Sequence, residues 1–329
     1  MIRQLLVRGV AGLAVVWGVV TAVFLLLRVA PGDPAALLLG PTATPVQLAA
    51  ERHTLGLDRP VAEQYVEWLG RFARGDWGTS IASGRPVRQV LATAWPATAW
   101  LVGLSLLLSY AFGIAVGVMQ AGVGGTRLDT ALSVVSVTLF ALPGYWLGLM
   151  LVLVFTYELR LLPAFGASGL DAEFLPAGAR ALDALRHLAL PLLTLALIGI
   201  GSVARFVRGA MLDLRGSLFL SVARAKGLSP RRVLLRHAFR NALIPVLTLL
   251  GLSLPAIFSG AVFVEAIFAW PGVGRVLVEA VQARDYPVVL AATAVSAILV
   301  VIGNLLAELF TAWADPRVRG AEGGRGRGG

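Results

Sequence analysis

Apolar residues fall along this chain in long runs separated by short polar segments. Six runs, at roughly 9–29, 98–120, 131–156, 188–207, 243–264 and 288–311, are each about 20 residues or longer. About 20 apolar residues in a helix cross a hydrocarbon core of about 30 Å. The pattern therefore predicts an all-α, polytopic membrane protein with six transmembrane helices. The first run has basic flanks, Arg3 and Arg8, yet it is long for a signal peptide and no small-x-small cleavage site precedes Pro31. Residues 1–30 read as a retained N-terminal anchor, with Arg28 placed to reach the interface from the far end.

The polar segments carry structure of their own. Within 31–96, Thr44-Pro45 has the form of an N-cap and first helical residue, and Gly56 that of a stop. Apolar Val61, Tyr65, Trp68, Leu69 and Phe72 then lie on one helical face. This predicts a small helical segment outside the membrane. Between the fourth and fifth runs, 217–245 reads SLFLSVARAKGLSPRRVLLRHAFRNALIP. Gly227 suits a left-handed helix stop, Ser229 an N-cap and Pro230 a first helical position. Two short helices joined by a sharp turn follow. Arg232, Arg236 and Arg240 form one stripe on the second, with Leu234, Leu235, Ala238, Phe239 and Ala242 on the other side. The stripe suits either anionic headgroups or a docked partner.

Charge adds an orientation. The net +10 invites a nucleic-acid reading, but the basic residues cluster in particular loops, which is the topogenic pattern. Residues 205–241 hold nine basic residues against Asp213 alone, net +8. Residues 31–96 are neutral, and 157–187 and 265–287 are each −1. Both termini and the basic hairpin are thus expected in the cytoplasm, with 313–329 a disordered tail. Apolar residues at 57% and charged ones at 14% agree with a membrane protein rather than a soluble domain.

Catalytic patterns are missing. The lone lysine, Lys226, lies between Ala225 and Gly227, so no Gly-Lys-Ser/Thr phosphate loop exists. His53, His187 and His237 sit on opposite sides of the expected membrane and do not make a metal site. Cysteine is absent, which removes disulfides and thiolate ligands. Gly103-Leu-Ser105 and Gly251-Leu-Ser253 lack the closing glycine of a nucleophile elbow. Gly199-x-Gly201-x-x-Ala204 mimics a dinucleotide fingerprint but lies in a span, where close helix packing is the expected use; Gly113-x-x-x-Gly117 and Gly144-x-x-x-Gly148 read alike. No cofactor and no metal are expected. Pro143 and Pro255 interrupt spans and, with Asn304, are candidates for lining a pathway; an interhelical hydrogen bond is the simpler use of Asn304 and of Glu308.

The ordered series PGDPA at 31–35, LGLDRP at 55–60, GDWGTS at 75–80, RHLALPLLTL at 186–195, ARAKGLSPRRVLLRHAFRNALIP at 223–245, VEAIFAWPGVGRVLVEAVQARDYPVV at 264–289 and DPR at 315–317 resembles the permease subunits of binding-protein-dependent ABC importers, in the dipeptide, oligopeptide and nickel group. The resemblance implies a type I importer fold, with an ABC transmembrane domain over 97–312 and a coupling hairpin over 217–241 that engages an ATPase. Ala223 and Gly227 match its signature positions, whereas Ser221 and Val222 stand where the general signature has Glu and Ala. It also implies a second homologous permease, two cytoplasmic ATPase subunits, an external solute-binding protein, and a place in a bacterial inner membrane. The chain itself would then be no enzyme. Peptide is the expected cargo and nickel the alternative. A stand-alone secondary transporter or a membrane hydrolase would need an inverted repeat, mid-span charges or a catalytic set, and the sequence offers none.

Overall fold

The computed structural model describes residues 2–29 and 32–314. Pro31 and residues 315–329 lie outside the described residues, and Trp313 and Ala314, the first two of the tail expected at 313–329, still belong to the last helix. In chain order the helices are α1 (Ile2–Val29), α2 (Pro34–Leu39), α3 (Pro45–Thr54), α4 (Val61–Ala73), α5 (Val87–Gly122), α6 (Arg127–Ala141) and α7 (Gly144–Val152). There follow α8 (Ala177–Asp213), α9 (Leu218–Ala225), α10 (Pro230–Arg232), α11 (Phe239–Ile267), α12 (Val273–Gln282) and α13 (Tyr286–Ala314). Leu153–Glu158 and Val233–Ala238 are π-helical. Among the described residues the sole β feature is an isolated bridge between Thr79 and Pro86.

Among the described residues, four stretches are long and apolar enough to cross a membrane: Val7–Val29, Val87–Gly122, Ala177–Asp213 and Tyr286–Leu306. The α6–α7 pair is a fifth if it counts as one crossing. That pair occupies the third run at 131–156, and the interruption expected at Pro143 is a bend of 103° between its two helices. Pro143 supplies no N–H and pushes Leu142 into an extended conformation (φ −69°, ψ 134°), so α6 ends and α7 restarts. Helices α5 and α8 also begin earlier than their apolar runs, at Val87 and Ala177. Within the polar leading part of α8, His187 Nδ1 donates to the Asp183 carbonyl at 2.9 Å.

The chain forms two compact units, one of residues up to Thr98 with Pro271–Val301, the other of Ala99–Trp270 with residues from Ile302. In the first, Val87, Leu91 and Ala94 of α5 join Val273 and Ala280 of α12 and Val288, Val289, Ala291 and Ala292 of α13 in one core. Thr44 caps α3 in a reciprocal capping box with Gln47, behind which Pro45 opens the helix. Helix α4 lays its apolar stripe on α1, where the Phe24 ring meets Tyr65 edge-on at 5.1 Å. The Thr21 and Tyr65 hydroxyls stand 2.6 Å apart beside it.

In the second unit α8 is the common neighbour of α6, α7 and α11. Small residues allow that crowding. A Cβ on Gly117 would stand 2.6 Å from the Ala204 carbonyl oxygen, and one on Gly201 2.6 Å from that of Ser136. The glycines that mimic a nucleotide fingerprint therefore serve close helix contact. Asp129 of α6 and Arg208 of α8 are joined by two hydrogen bonds, Nε to Oδ1 at 2.7 Å and Nη2 to Oδ2 at 2.8 Å. The Gly125 N–H and Ser133 hydroxyl donate to the same carboxylate.

Candidate functional site

The basic island is less free than its charge count suggests. Arg205 and Arg208 lie within α8; Arg205 covers the Phe140 ring at 4.1 Å and Arg208 is paired with Asp129. Arg215 donates to the Ala121 carbonyl at 2.6 Å, tying the end of α8 to the end of α5. The segment that projects is α9, its turn, and the start of the next helix.

Helix α9 stops where Gly227 takes φ 75°, and its N–H donates to the Arg224 carbonyl at 2.9 Å. No atom lies within 4 Å of a Cβ built on Gly227, so conformation and not space sets the need for glycine there. Ser229 occupies the cap position and Pro230 the first turn of α10, although the Ser229 side chain makes no capping bond. One α-helical turn, one π-helical turn and then α11 follow without a break. The second short helix of the sequence reading is thus the leading end of a long one.

The π-helical turn changes which residues face inward. Its wider turn shifts the helical phase, and Val233 and Ala238, five apart, are both buried. Leu235, expected on the apolar side, is 43% exposed. Arg232, Arg236 and Arg240 are all exposed.

Helix α9 has two faces. Leu220 and Ala223 are buried, 2% and 5% exposed, in a core with Met211, Val203 and Val207 of α8, Ala121 of α5, and Val233, Ala238, Ala242 and Val246. The opposite side shows Leu218 (84% exposed), Val222 (50%) and Phe219 (40%) beside Arg224 and Lys226. Ala223, a sequence candidate, is therefore a packing residue that seats the hairpin. The residues presented outward are Leu218, Phe219 and Val222, which the sequence reading did not single out. Their signal was present as an apolar i, i+1, i+4 set just before the turn. Beside α9, a cavity of about 930 Å³ is bounded by α8, α9 and α11, among them Arg205, Asp213, Phe219, Asn241 and Pro245.

The other candidates stand apart from the hairpin. Pro143 is exposed at the α6–α7 junction, and α7 contacts α8 and α11. Helix α11 runs through Pro255, whose side chain is outside the described residues, as is that of Glu308. Asn304 is exposed on α13, and no hydrogen bond is made by it among the described residues. Among the described residues no group of three or more His, Asp or Glu is arranged to hold a metal ion.

Residues 87–320 match the family described as binding-protein-dependent transport system inner membrane component, and residues 1–102 match the N-terminal family of the same membrane component. The chain is 36% identical over 312 residues to the oligopeptide transport system permease protein AppB of Bacillus subtilis (94% of this chain, 97% of that one). It is 37% identical over 317 residues to the di/tripeptide transport system permease protein DppB of Pseudomonas aeruginosa (92% and 94%). Among solved structures, an inward-facing MetNI methionine ABC transporter has the same fold, with a TM-score of 0.53 at 16% identity, covering 70% of this chain and 98% of that one. The family places the chain in the inner membrane as a multi-pass subunit, with ATP hydrolysis in separate subunits and a solute-binding protein as the other partner class. With both family matches, end-to-end relatives and a shared fold, the chain belongs to the permease subunits of binding-protein-dependent ABC importers.

Proposed function

We propose that this permease forms half of a peptide-translocation pathway and receives its driving force through the α9 hairpin. The observation that carries the coupling role is the two-faced α9: Leu220 and Ala223 fix it to the bundle, while Leu218, Phe219 and Val222 stand uncovered beside Arg224 and Lys226. An apolar patch with a basic rim, held on a rigid turn, suits a protein groove better than open water. Gly227 sets the angle of that turn, and Arg232, Arg236 and Arg240 face either the ATPase or the headgroups. The relatives, named oligopeptide and di/tripeptide permeases, support peptide as the cargo.

In this reading a second homologous permease supplies the other half of the pathway. Two ATPase subunits close on ATP, the two hairpins move with them, and the paired spans reopen toward an external binding protein. Helix α11 and the bent α6–α7 pair complete six crossings, with both termini in the cytoplasm. The Pro143 break, the Pro255 region and Asn304 line or border the pathway.

Purification from the native membrane tests the assembly. A second permease and an ATPase should come with this chain, and vesicles holding the whole set, supplied with binding protein and ATP, should accumulate a labelled di- or tripeptide. Uptake by this chain alone under a proton or sodium gradient would contradict the proposal. Selective uptake of nickel in place of peptide would overturn the cargo.

A further inference from the structure

A second cavity, remote in sequence from the hairpin, has the chemistry of an anion site. It encloses about 410 Å³ within the first compact unit and is lined by Phe24 and Arg28 of α1, Trp68 and Arg71 of α4, the 54–57 turn, Trp77, and Tyr286 and Leu290 of α13. Arg28 lies between two rings, its guanidinium carbon 4.9 Å from the Phe24 centroid and 5.2 Å from that of Tyr286. Its Nε is shielded from solvent and has no acceptor, and the same holds for the Trp68 indole N–H. The two side chains that carry these unmatched donors both line the one cavity. Buried donors nearly always have partners, so a pair without them marks the place of an absent acceptor.

The surrounding charges leave Arg28 as the group to be neutralised. Arg59 pairs with Glu67 at 2.9 Å and Arg71 with Asp76 at 2.8 Å. The Arg71 hydrogen bond, helped by the Gly78 N–H, holds the Asp76 carboxyl below its ordinary pKa, so that pair stays ionised. Arg28 has no carboxylate partner among the described residues. The aromatic column Phe24, Trp68, Phe72 and Trp77, with Trp68 and Phe72 at 5.2 Å and Phe72 and Trp77 at 5.6 Å, makes the wall beside it rigid and apolar.

The setting selects among anions. Arg28 is in the last turn of a helix whose other faces, including Leu25, Leu26 and Val29, are exposed and apolar. In a membrane those faces meet acyl chains, which puts Arg28 at headgroup depth. Aromatic rings at that level are the usual interface anchors. We propose that this cavity binds the phosphodiester of one phospholipid, with Arg28 and the Trp68 N–H as its donors and the lipid tails running down the exposed side of α1. The proposal rests on the membrane-permease reading and adds a specific lipid to it.

Native mass spectrometry of the whole importer, extracted from vesicles of phosphatidylglycerol and phosphatidylethanolamine, tests the site. Wild type should keep one phospholipid per permease copy through mild delipidation. Arg28→Gln should lower that occupancy about tenfold, as expected for loss of a charge-assisted pair. Trp68→Phe, which keeps the ring and removes the donor, should lower it severalfold, and Arg28→Lys should fall between. Equal retention in wild type and Arg28→Gln would overturn the proposal. So would displacement of the bound group by millimolar inorganic phosphate or by an N-acetylated dipeptide, which would mark a free-anion or peptide-carboxylate site. ATPase copurification is the separate readout: its absence from wild type would sink the importer reading and leave the lipid result standing.

Discussion

At the scale of single residues, a side chain's surroundings decide its use more than its type does. Ala223 and Val222 are neighbours on α9, yet Ala223 is 5% exposed and Val222 50%. Ala223→Leu must push the added atoms into the core around Met211 and Val207, at a cost of about 1–3 kcal/mol. Thermal unfolding of the solubilised complex should register that loss, and an unchanged melting temperature would show that α9 is not seated as described. Val222 is half exposed, so Val222→Asp should leave stability close to wild type while ATPase copurification weakens by about tenfold, as for a lost interface anchor. Asp129 offers another contrast. Its carboxylate accepts both Arg208 bonds between α6 and α8, so Asp129→Ala should lower the melting temperature clearly more than Arg232→Ala, whose guanidinium is exposed. Equal effects of the two would mean that the ion pair contributes little.

At the scale of elements, the signals written in short local patterns were the legible ones. Pro45 behind Thr44, Pro230 behind Ser229 and the glycine at 227 mark helix boundaries because each acts through its own backbone. The long apolar runs likewise locate the apolar part of each long helix. The sequence does not show how far a helix continues once its residues turn polar, so α5 and α8 begin earlier than the apolar runs at 98 and 188. It does not show the π-helical turn at Val233–Ala238 either, because a single added residue per turn leaves no compositional mark. That turn is why Leu235 faces outward. Pro143 was legible as a break, but the 103° angle depends on packing around α7. Leu220→Ala tests the element-level account: it removes a side chain 2% exposed and should cost about 2–4 kcal/mol, loosening α9 before the spans. Hydrogen exchange along 217–229 should rise in this variant, and a rise spread evenly over the chain would contradict local seating.

At the scale of the whole molecule, family and fold were legible because the matching fragments run in order almost from end to end. Which residues meet the partners was less so, since a face can be assigned only after the hairpin's packing is known. Sidedness is tested directly because the chain has no cysteine of its own. Ser168 and Ser229 are both exposed. A cysteine replacing Ser168 should react with an impermeant thiol reagent from outside intact cells. One replacing Ser229 should react only after the membrane is opened, and reversed labelling would refute the orientation.

The central claim, that the α9 hairpin couples ATP hydrolysis to transport, is tested most directly by measuring both activities on one reconstituted complex. Gly227 is at φ 75° with open space where a Cβ would stand, so a substitution there acts through backbone strain alone. A β-branched residue in that region costs about 1–2 kcal/mol or more, whereas asparagine tolerates it. Gly227→Val should therefore lower the peptide transported per ATP hydrolysed, or release the ATPase, while Gly227→Asn keeps the wild-type ratio. Wild-type transport per ATP in Gly227→Val would show that this turn is not the coupling element.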